Sequence, residues 1–349
     1  MKFRKIYLLL ALVGVACSSK GNTTPEWPWE TPDKPAEENP TEPNPSLVEK
    51  GWSNVTSAYA SLPEGIAVYK APATLEGVKA VAYVAVADLS VVTWDVWSIL
   101  DPETQGTTES LKTPGEVFAA TSAPIVMNGG YFFSEGGKRY NASVAVSAGK
   151  VYGVNLNYAS EDWVTYYYPT RGVFYEKGGK LGAGWTYYTT SHQHYLYGKP
   201  ADNAWEKSPL QAPDASFPEK AATFDATTAI GAGPVLLNEG KVVNSWKAEL
   251  FYGNGSDDKM PEARHPRTAI GSTGSRLVLF VCEGRGMTEG VPGLTTGEVA
   301  SVMKSLGCTE ALNLDGGGSS CLLVNGKSTI QESDGHQRAV GSAIILRKK

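Results

Sequence analysis

Ala311-Leu-Asn-Leu-Asp-Gly-Gly-Gly-Ser-Ser-Cys321 decides how the rest of the chain reads. Leu312 and Leu314 alternate with Asn313 and Asp315, the period of a half-buried strand, and the strand ends on a carboxylate. Three glycines follow. They cost backbone entropy unless the chain needs positive φ or must let another group approach its amides closely. Ser319 and Ser320 add hydroxyls before Cys321-Leu-Leu-Val324 resumes an apolar strand. A strand-end acid, a bare amide-rich turn and two hydroxyls suit an anion, although a glycine-rich turn between buried strands fits the same letters. No Gly-Lys-Ser/Thr follows the glycines, which excludes a P-loop.

The beginning of the chain sets an expected compartment. Lys2, Arg4 and Lys5 precede an apolar run from Ile6 to Val13, and Gly14-Val15-Ala16 leads into Cys17. This predicts a secretory signal over residues 1–16 with a lipoprotein box, Cys17 being the lipidated residue. Such a protein is exported and anchored to the cell envelope, at the periplasmic face or the cell surface, by lipid rather than by a spanning helix. Residues 17–46, rich in Pro, Glu, Thr and Asn, read as a disordered tether that cannot bury enough surface to offset chain entropy.

Residues 47–349 suit one large domain. The formal net charge of −5 and the lack of a basic stripe argue against a nucleic-acid partner. Cys282, Cys308 and Cys321 permit at most one bridge, and their apolar neighbours suit buried small hydrophobes.

Strands dominate the remaining pattern. Ile66 to Tyr69, Val78 to Val86, Val91 to Val96, Ala123 to Met127 and Arg276 to Glu283 read as strands, and 141–154 and 172–182 as hairpins. A short leading helix is expected within 46–61 and another over 112–120, with Thr113 as N-cap. Thr295 to Leu306 is the clearest helix, with Glu298 in its first turn and Val299, Val302, Met303 and Leu306 on one face. The span 163–222, dense in Tyr and Trp, reads as an insertion over a binding face. The fold class is therefore α+β, a sheet-rich single large domain with few helices.

Read in order, Asn128-Gly-Gly-Tyr-Phe, Ile230-Gly-Ala-Gly-Pro, Arg267-Thr-Ala-Ile-Gly, Glu283-Gly-Arg, the 296–306 helix, Asn313-Leu-Asp-Gly-Gly-Gly-Ser-Ser and Arg338-Ala-Val resemble one known family. This is the phosphodiester glycosidase domain family of N-acetylglucosamine-1-phosphodiester α-N-acetylglucosaminidase and its bacterial relatives. The resemblance runs from about Ala123 to Leu346.

It implies cleavage of a sugar–O–phosphate linkage at the anomeric carbon. The phosphoryl leaving group is weakly basic, so charge complementarity to phosphate and support for an oxocarbenium-like sugar matter more than a strong acid. Arg267 offers a planar fork for bidentate phosphate contact, with Arg285 and Arg338 as further candidates. The Gly316, Gly317 and Gly318 amides could form a nest for the same anion. Asp315 and Glu283 form the candidate carboxylate pair for base or nucleophile duty. Asn128 and Gly129 would meet the sugar hydroxyls or an acetamido group, with Tyr131 or Phe132 packing on the ring. Gly233, Thr268, Ser319 and Ser320 complete the expected substrate-binding set.

His192 and His194 are two apart with no third ligand nearby, so neither a metal nor another cofactor is expected. No Gly-x-Ser-x-Gly occurs, which removes support for acyl transfer. Relatives often carry Asp where this chain has Glu283. That departure and the aromatic span keep a second class open, a non-catalytic surface protein that binds phosphorylated glycans.

Overall fold

Strand Ile66–Lys70 sends Ile66 and Val68 into one apolar cluster and Ala67 and Tyr69 into another. A strand buried on both faces belongs to a sheet covered on both sides, and its near-continuous apolar run follows from that. The computed structural model describes residues 45–252 and 260–349, all within one compact unit spanning 39–349. The expected leader, Cys17 and most of the tether lie outside the described residues. Among the described residues no helix is long and apolar enough to cross a membrane.

Three large antiparallel sheets build the domain, with a three-stranded and a two-stranded sheet beside them. The eight-stranded sheet has Ala82–Asp88, Arg276–Cys282, Arg267–Ser272 and Glu310–Asn313 at its centre. A five-stranded sheet pairs Ile125–Asn128 with both Ser342–Lys348 and Leu322–Val324. A seven-stranded sheet carries Thr228–Gly231 against Arg171–Lys177, followed by Lys180–Tyr188 and His194–Tyr197. One core joins all three: Val68 and Leu279, Trp94 and Met127, and Phe174 and Ile230 belong to the same buried cluster.

The helices cover the outer faces. Helix Thr296–Ser305 lays Val299, Val302 and Met303 on the far side of the eight-stranded sheet. Its capping box is complete, Thr295 Oγ1 accepting from the Glu298 amide at 3.0 Å while Glu298 Oε2 accepts from the Thr295 amide at 2.8 Å. Helix Pro114–Thr121 has the same device at Thr113 and packs Val117 against the five-stranded sheet.

The sheet-rich class and both capped helices stand as expected. The leading helix is shorter: Pro45–Glu49 stops before Gly51, which takes φ +83°, and Trp52 turns into the core. The strand expected over 78–86 breaks into Val78–Lys79 and Ala82–Asp88, each pairing with a different partner. The aromatic span is not an added cover. It supplies strands to the seven-stranded sheet, and Trp185, Tyr187 and Tyr197 are buried in it. Cys282, Cys308 and Cys321 are buried free thiols, and burial pushes Cys282 and Cys308 up to about 12.

Where Gly130 crosses the seven-stranded sheet, a Cβ would run into the Gly231 carbonyl oxygen and press on Ser143. Neither backbone can yield without separating two sheets. Gly130→Ala is therefore expected to cost ~1–3 kcal/mol of stability in denaturant unfolding, and an unchanged midpoint would refute this crossing.

Candidate active site

Strand ends from all three sheets converge on one cavity of about 530 Å³. Cross-strand pairing of Ala269 with Asn313, continued outward by the Leu314 amide donating to the Thr268 carbonyl, brings Arg267 opposite Asp315. Asn313 and Asp315, two apart, share a strand face, and both line the cavity. Arg171 opens the Arg171–Lys177 strand and lines the same cavity with Tyr131 and Phe251.

Asn128 holds this junction together. It is fully buried at the end of Ile125–Asn128. Its Nδ2 donates to the Asp315 carbonyl at 2.7 Å, while Oδ1 accepts from Thr268 Oγ1 at 3.0 Å and from the Cys321 amide at 3.1 Å. The Asp315 amide donates to the Gly129 carbonyl at 3.2 Å. The two sheets and both ends of the glycine loop thus share one side-chain amide.

The glycines make room for guanidinium groups. A Cβ on Gly317, which takes φ +60°, would meet the Arg285 guanidinium, and one on Gly318 would collide with Arg338 and Asp334. Asp334 Oδ2 accepts from Arg338 Nε at 2.9 Å and Nη2 at 2.7 Å, and Oδ1 lies 3.9 Å from Arg285 Nη1. Arg285 itself is left-handed, with φ +57°. A single carboxylate thereby sets two cations side by side over the loop.

Beneath them, the Asp315 carboxyl is pushed up to about 6 by burial, against the pull of the Ser319 hydroxyl, the Arg338 charge and the Gly316 amide. Burial also raises Tyr131, whose hydroxyl donates to the Gly233 carbonyl at 2.8 Å. Behind Gly233, Glu249 is fully buried and accepts from the Gly172 amide at 2.7 Å, the Val235 amide at 2.9 Å, Ser245 Oγ at 2.6 Å and Trp185 Nε1 at 3.1 Å. Burial raises Glu249 and lowers Arg171.

Of the residues expected from sequence, Asp315, Tyr131, Gly233, Arg267, Arg285, Arg338 and Gly316 to Gly318 line the cavity. Several roles change. Arg267 is sunk into backbone, with Nε donating to the Leu294 carbonyl at 2.9 Å and Nη2 to the Met260 and Ala263 carbonyls at 2.6 and 2.7 Å. Most of its fork is committed before any phosphate arrives. Of the expected amide nest, the Gly317 amide donates to the Pro266 carbonyl, while the Ser319 and Ser320 amides donate back to the Gly316 and Gly317 carbonyls.

Glu283 lies outside the cavity lining. Its carboxylate accepts from Thr288 Oγ1 at 2.6 Å and from the Gln331 amide at 2.9 Å, which makes it a loop clasp rather than the partner of Asp315. Asn128 and Thr268 are buried and spend their polar atoms on each other and on backbone. Gly129 packs beneath Ser342 and Phe132 against Gly341, neither in the lining. Ser319 and Ser320 are buried as well, Ser319 accepting from Arg338 Nη1 at 3.4 Å. Sequence reading missed Arg171, Phe251 and Asn313 as lining residues. Among the described residues no group of three His, Cys, Asp or Glu side chains is placed to hold a metal ion.

An acid and paired arginines around one cavity in a sheet-rich domain suit an anionic ligand. The family described as phosphodiester glycosidase matches residues 121–347, and the chain belongs to it. The fold is similar to that of the catalytic domain of zebrafish N-acetylglucosamine-1-phosphodiester α-N-acetylglucosaminidase, auto-inhibited by its pro-peptide. The TM-score is 0.54 at 16% identity, covering 85% of this chain and 88% of that one. A hypothetical protein from Synechocystis gives 0.53 at 17% identity, covering 85% and 68%. A prophage-derived uncharacterized protein of Bacillus subtilis, YomE, is 42% identical over 84 residues, which are 24% of this chain and 13% of that protein. The chain thus matches only a small part of this curated relative.

Because burial raises the Asp315 carboxyl from 3.8 to about 6, the stability it contributes belongs to the protonated form. That stability is complete below about 4 and is lost as pH rises through 6. Asp315→Asn is expected to raise unfolding free energy at pH 8 by ~1–3 kcal/mol and to change it little near pH 4. Paired urea titrations at the two pH values check this. A variant destabilised at pH 8 would contradict it.

Proposed function

We propose that the protein hydrolyses the bond between an anomeric carbon and a phosphoryl oxygen in a sugar-1-phosphodiester of an envelope or host glycan. The observation that carries this reading is one cavity in which Arg285 and Arg338 lie over a bare glycine loop beside Asp315. The two guanidinium groups receive the phosphoryl oxygens and stabilise the charge that grows on them as the C–O bond breaks. That bond's electron pair leaves with the phosphate. Water supplies the new oxygen on the anomeric carbon, with Asp315 as base or nucleophile.

Asp315 is the single acidic side chain lining the cavity among the described residues. This suits a leaving group so weakly basic that no second carboxylate need protonate it. The expected lipoprotein leader supports a reaction at the cell envelope, with the chain held there through Cys17. A further fold relative, from Burkholderia pseudomallei, carries a name that describes an exported protein, with a TM-score of 0.51 at 16% identity.

The purified domain is expected to release reducing sugar from an N-acetylglucosamine-1-phosphodiester or a teichoic-type substrate. Asp315→Asn should lower kcat by roughly 10²–10⁴-fold. Saturable binding with no product from any sugar phosphodiester would support the glycan-binding class instead. If the ionised carboxylate is the working form, kcat should climb as pH passes about 6 and then level off. A profile flat from pH 5 to pH 7 would remove Asp315 ionisation from the reaction.

A further inference from the structure

The cavity also holds polar groups that the proposed chemistry does not use. Arg171 lines it with its guanidinium carbon 4.7 Å from the centre of the Phe251 ring. Its Nε is buried and has no hydrogen-bond partner among the described residues. The nearest carboxylate, Glu249, is already saturated by two backbone amides, a serine hydroxyl and a tryptophan N–H. The Arg171 Nε–H loses hydration without gaining the hydrogen-bonded partner that ordinarily compensates. The aromatic face orients it and gives no acceptor in its plane.

Asn313 adds a second unmet group. It is 1% exposed, and its Nδ2 is fixed by the Gly233 and Leu314 carbonyls, each at 2.9 Å. That leaves Oδ1 buried at the cavity wall with no partner among the described residues. Asn313 lies ~7 Å along the strand from Asp315 and on the same face. The unmet Asn313 acceptor and the unmet Arg171 Nε thus belong to the same cavity as the paired arginines.

Charge points the same way. Arg171, Arg267, Arg285 and Arg338 line the cavity together with the one acid Asp315. Arg267 is absorbed by three carbonyls, and Arg285 and Arg338 share the single carboxylate of Asp334. A phosphodiester brings one negative charge, which Arg285 and Arg338 suffice to receive. Arg171 has only the buried Glu249 as a counter-charge, and its Nε keeps no hydrogen-bond partner among the described residues.

We infer that Arg171 and Asn313 form a subsite for an acidic sugar, with Arg171 taking a ring carboxylate and the Asn313 carbonyl accepting from a neighbouring hydroxyl. This rests on the phosphoryl group lying at Arg285 and Arg338, as proposed above. The preferred substrate is then a uronic-acid-type sugar phosphodiester rather than a neutral one.

Titration calorimetry with glucuronic acid 1-phosphate and glucose 1-phosphate tests this without requiring turnover. The wild-type chain is expected to bind the acidic probe at least about tenfold more tightly, a difference of ~1.4 kcal/mol. Arg171→Gln should bring the ratio near one while leaving glucose 1-phosphate affinity almost unchanged. Arg171→Lys, which keeps the charge and loses the planar fork, should fall between and serves if the glutamine variant does not fold.

Equal affinity of the wild type for both probes, or binding of neither, overturns the subsite. So does an equal loss for both probes in Arg171→Gln, which would put Arg171 on the phosphoryl group. Hydrolysis of a neutral phosphodiester without acid preference rejects this inference alone. Acid-selective binding with no hydrolysis of either phosphodiester class rejects the hydrolase reading alone.

Discussion

The buried Asn128 side chain is the constraint on which the site depends. Three sheets must end at one place for their terminal residues to share a cavity, and buried backbone there needs partners. Asn128 supplies them with one amide, reaching the Asp315 carbonyl, the Thr268 hydroxyl and the Cys321 amide. Replacing it would leave groups in both the eight-stranded and five-stranded sheets unpaired at once. An unmade bond at such a position costs more than a made one contributes. The strand carrying Asp315 and the return strand after the glycine loop are thereby fixed relative to each other before any ligand binds.

Placed on that frame, the glycine loop acts through what it lacks. The Gly317 amide is committed to the Pro266 carbonyl, and the Ser319 and Ser320 amides close local turns. The missing side chains at Gly317 and Gly318 are what allow Arg285 and Arg338 to lie over it beside Asp315. The cations come from two separate loops and are tied together by Asp334. Two guanidinium groups so close would repel without an intervening carboxylate, and Asp334 at 2.7 Å from Arg338 answers that need. The same closeness makes the cavity a receptor for an oxyanion.

Much of this was legible in the sequence, and the misses have physical causes. Capping boxes are local, so Thr113 and Thr295 announced their helices. The glycine run announced a close approach, though not of which group: a guanidinium and an anion both want a missing Cβ. Asn128 and Thr268 looked like ligand contacts because a motif shows residue type without burial. Glu283 looked like a second catalytic acid because Thr288 and Gln331, which hold it, carry no pattern that pairs with it. Arg171 lay inside an aromatic span with no motif around it. Only the pairing of Arg171–Lys177 with Thr228–Gly231 brings it to the cavity. The long-range register of the seven-stranded sheet was what sequence reasoning lacked.

The account stands on where the phosphoryl group sits. The most direct test is a crystal structure of Asp315→Asn soaked with an intact sugar-1-phosphodiester. The phosphoryl oxygens should lie within hydrogen-bond distance of Arg285 and Arg338, with the anomeric carbon beside residue 315 and the sugar directed toward Asn313. A phosphoryl group bound at Arg171, or a ligand seated outside this cavity, would contradict it.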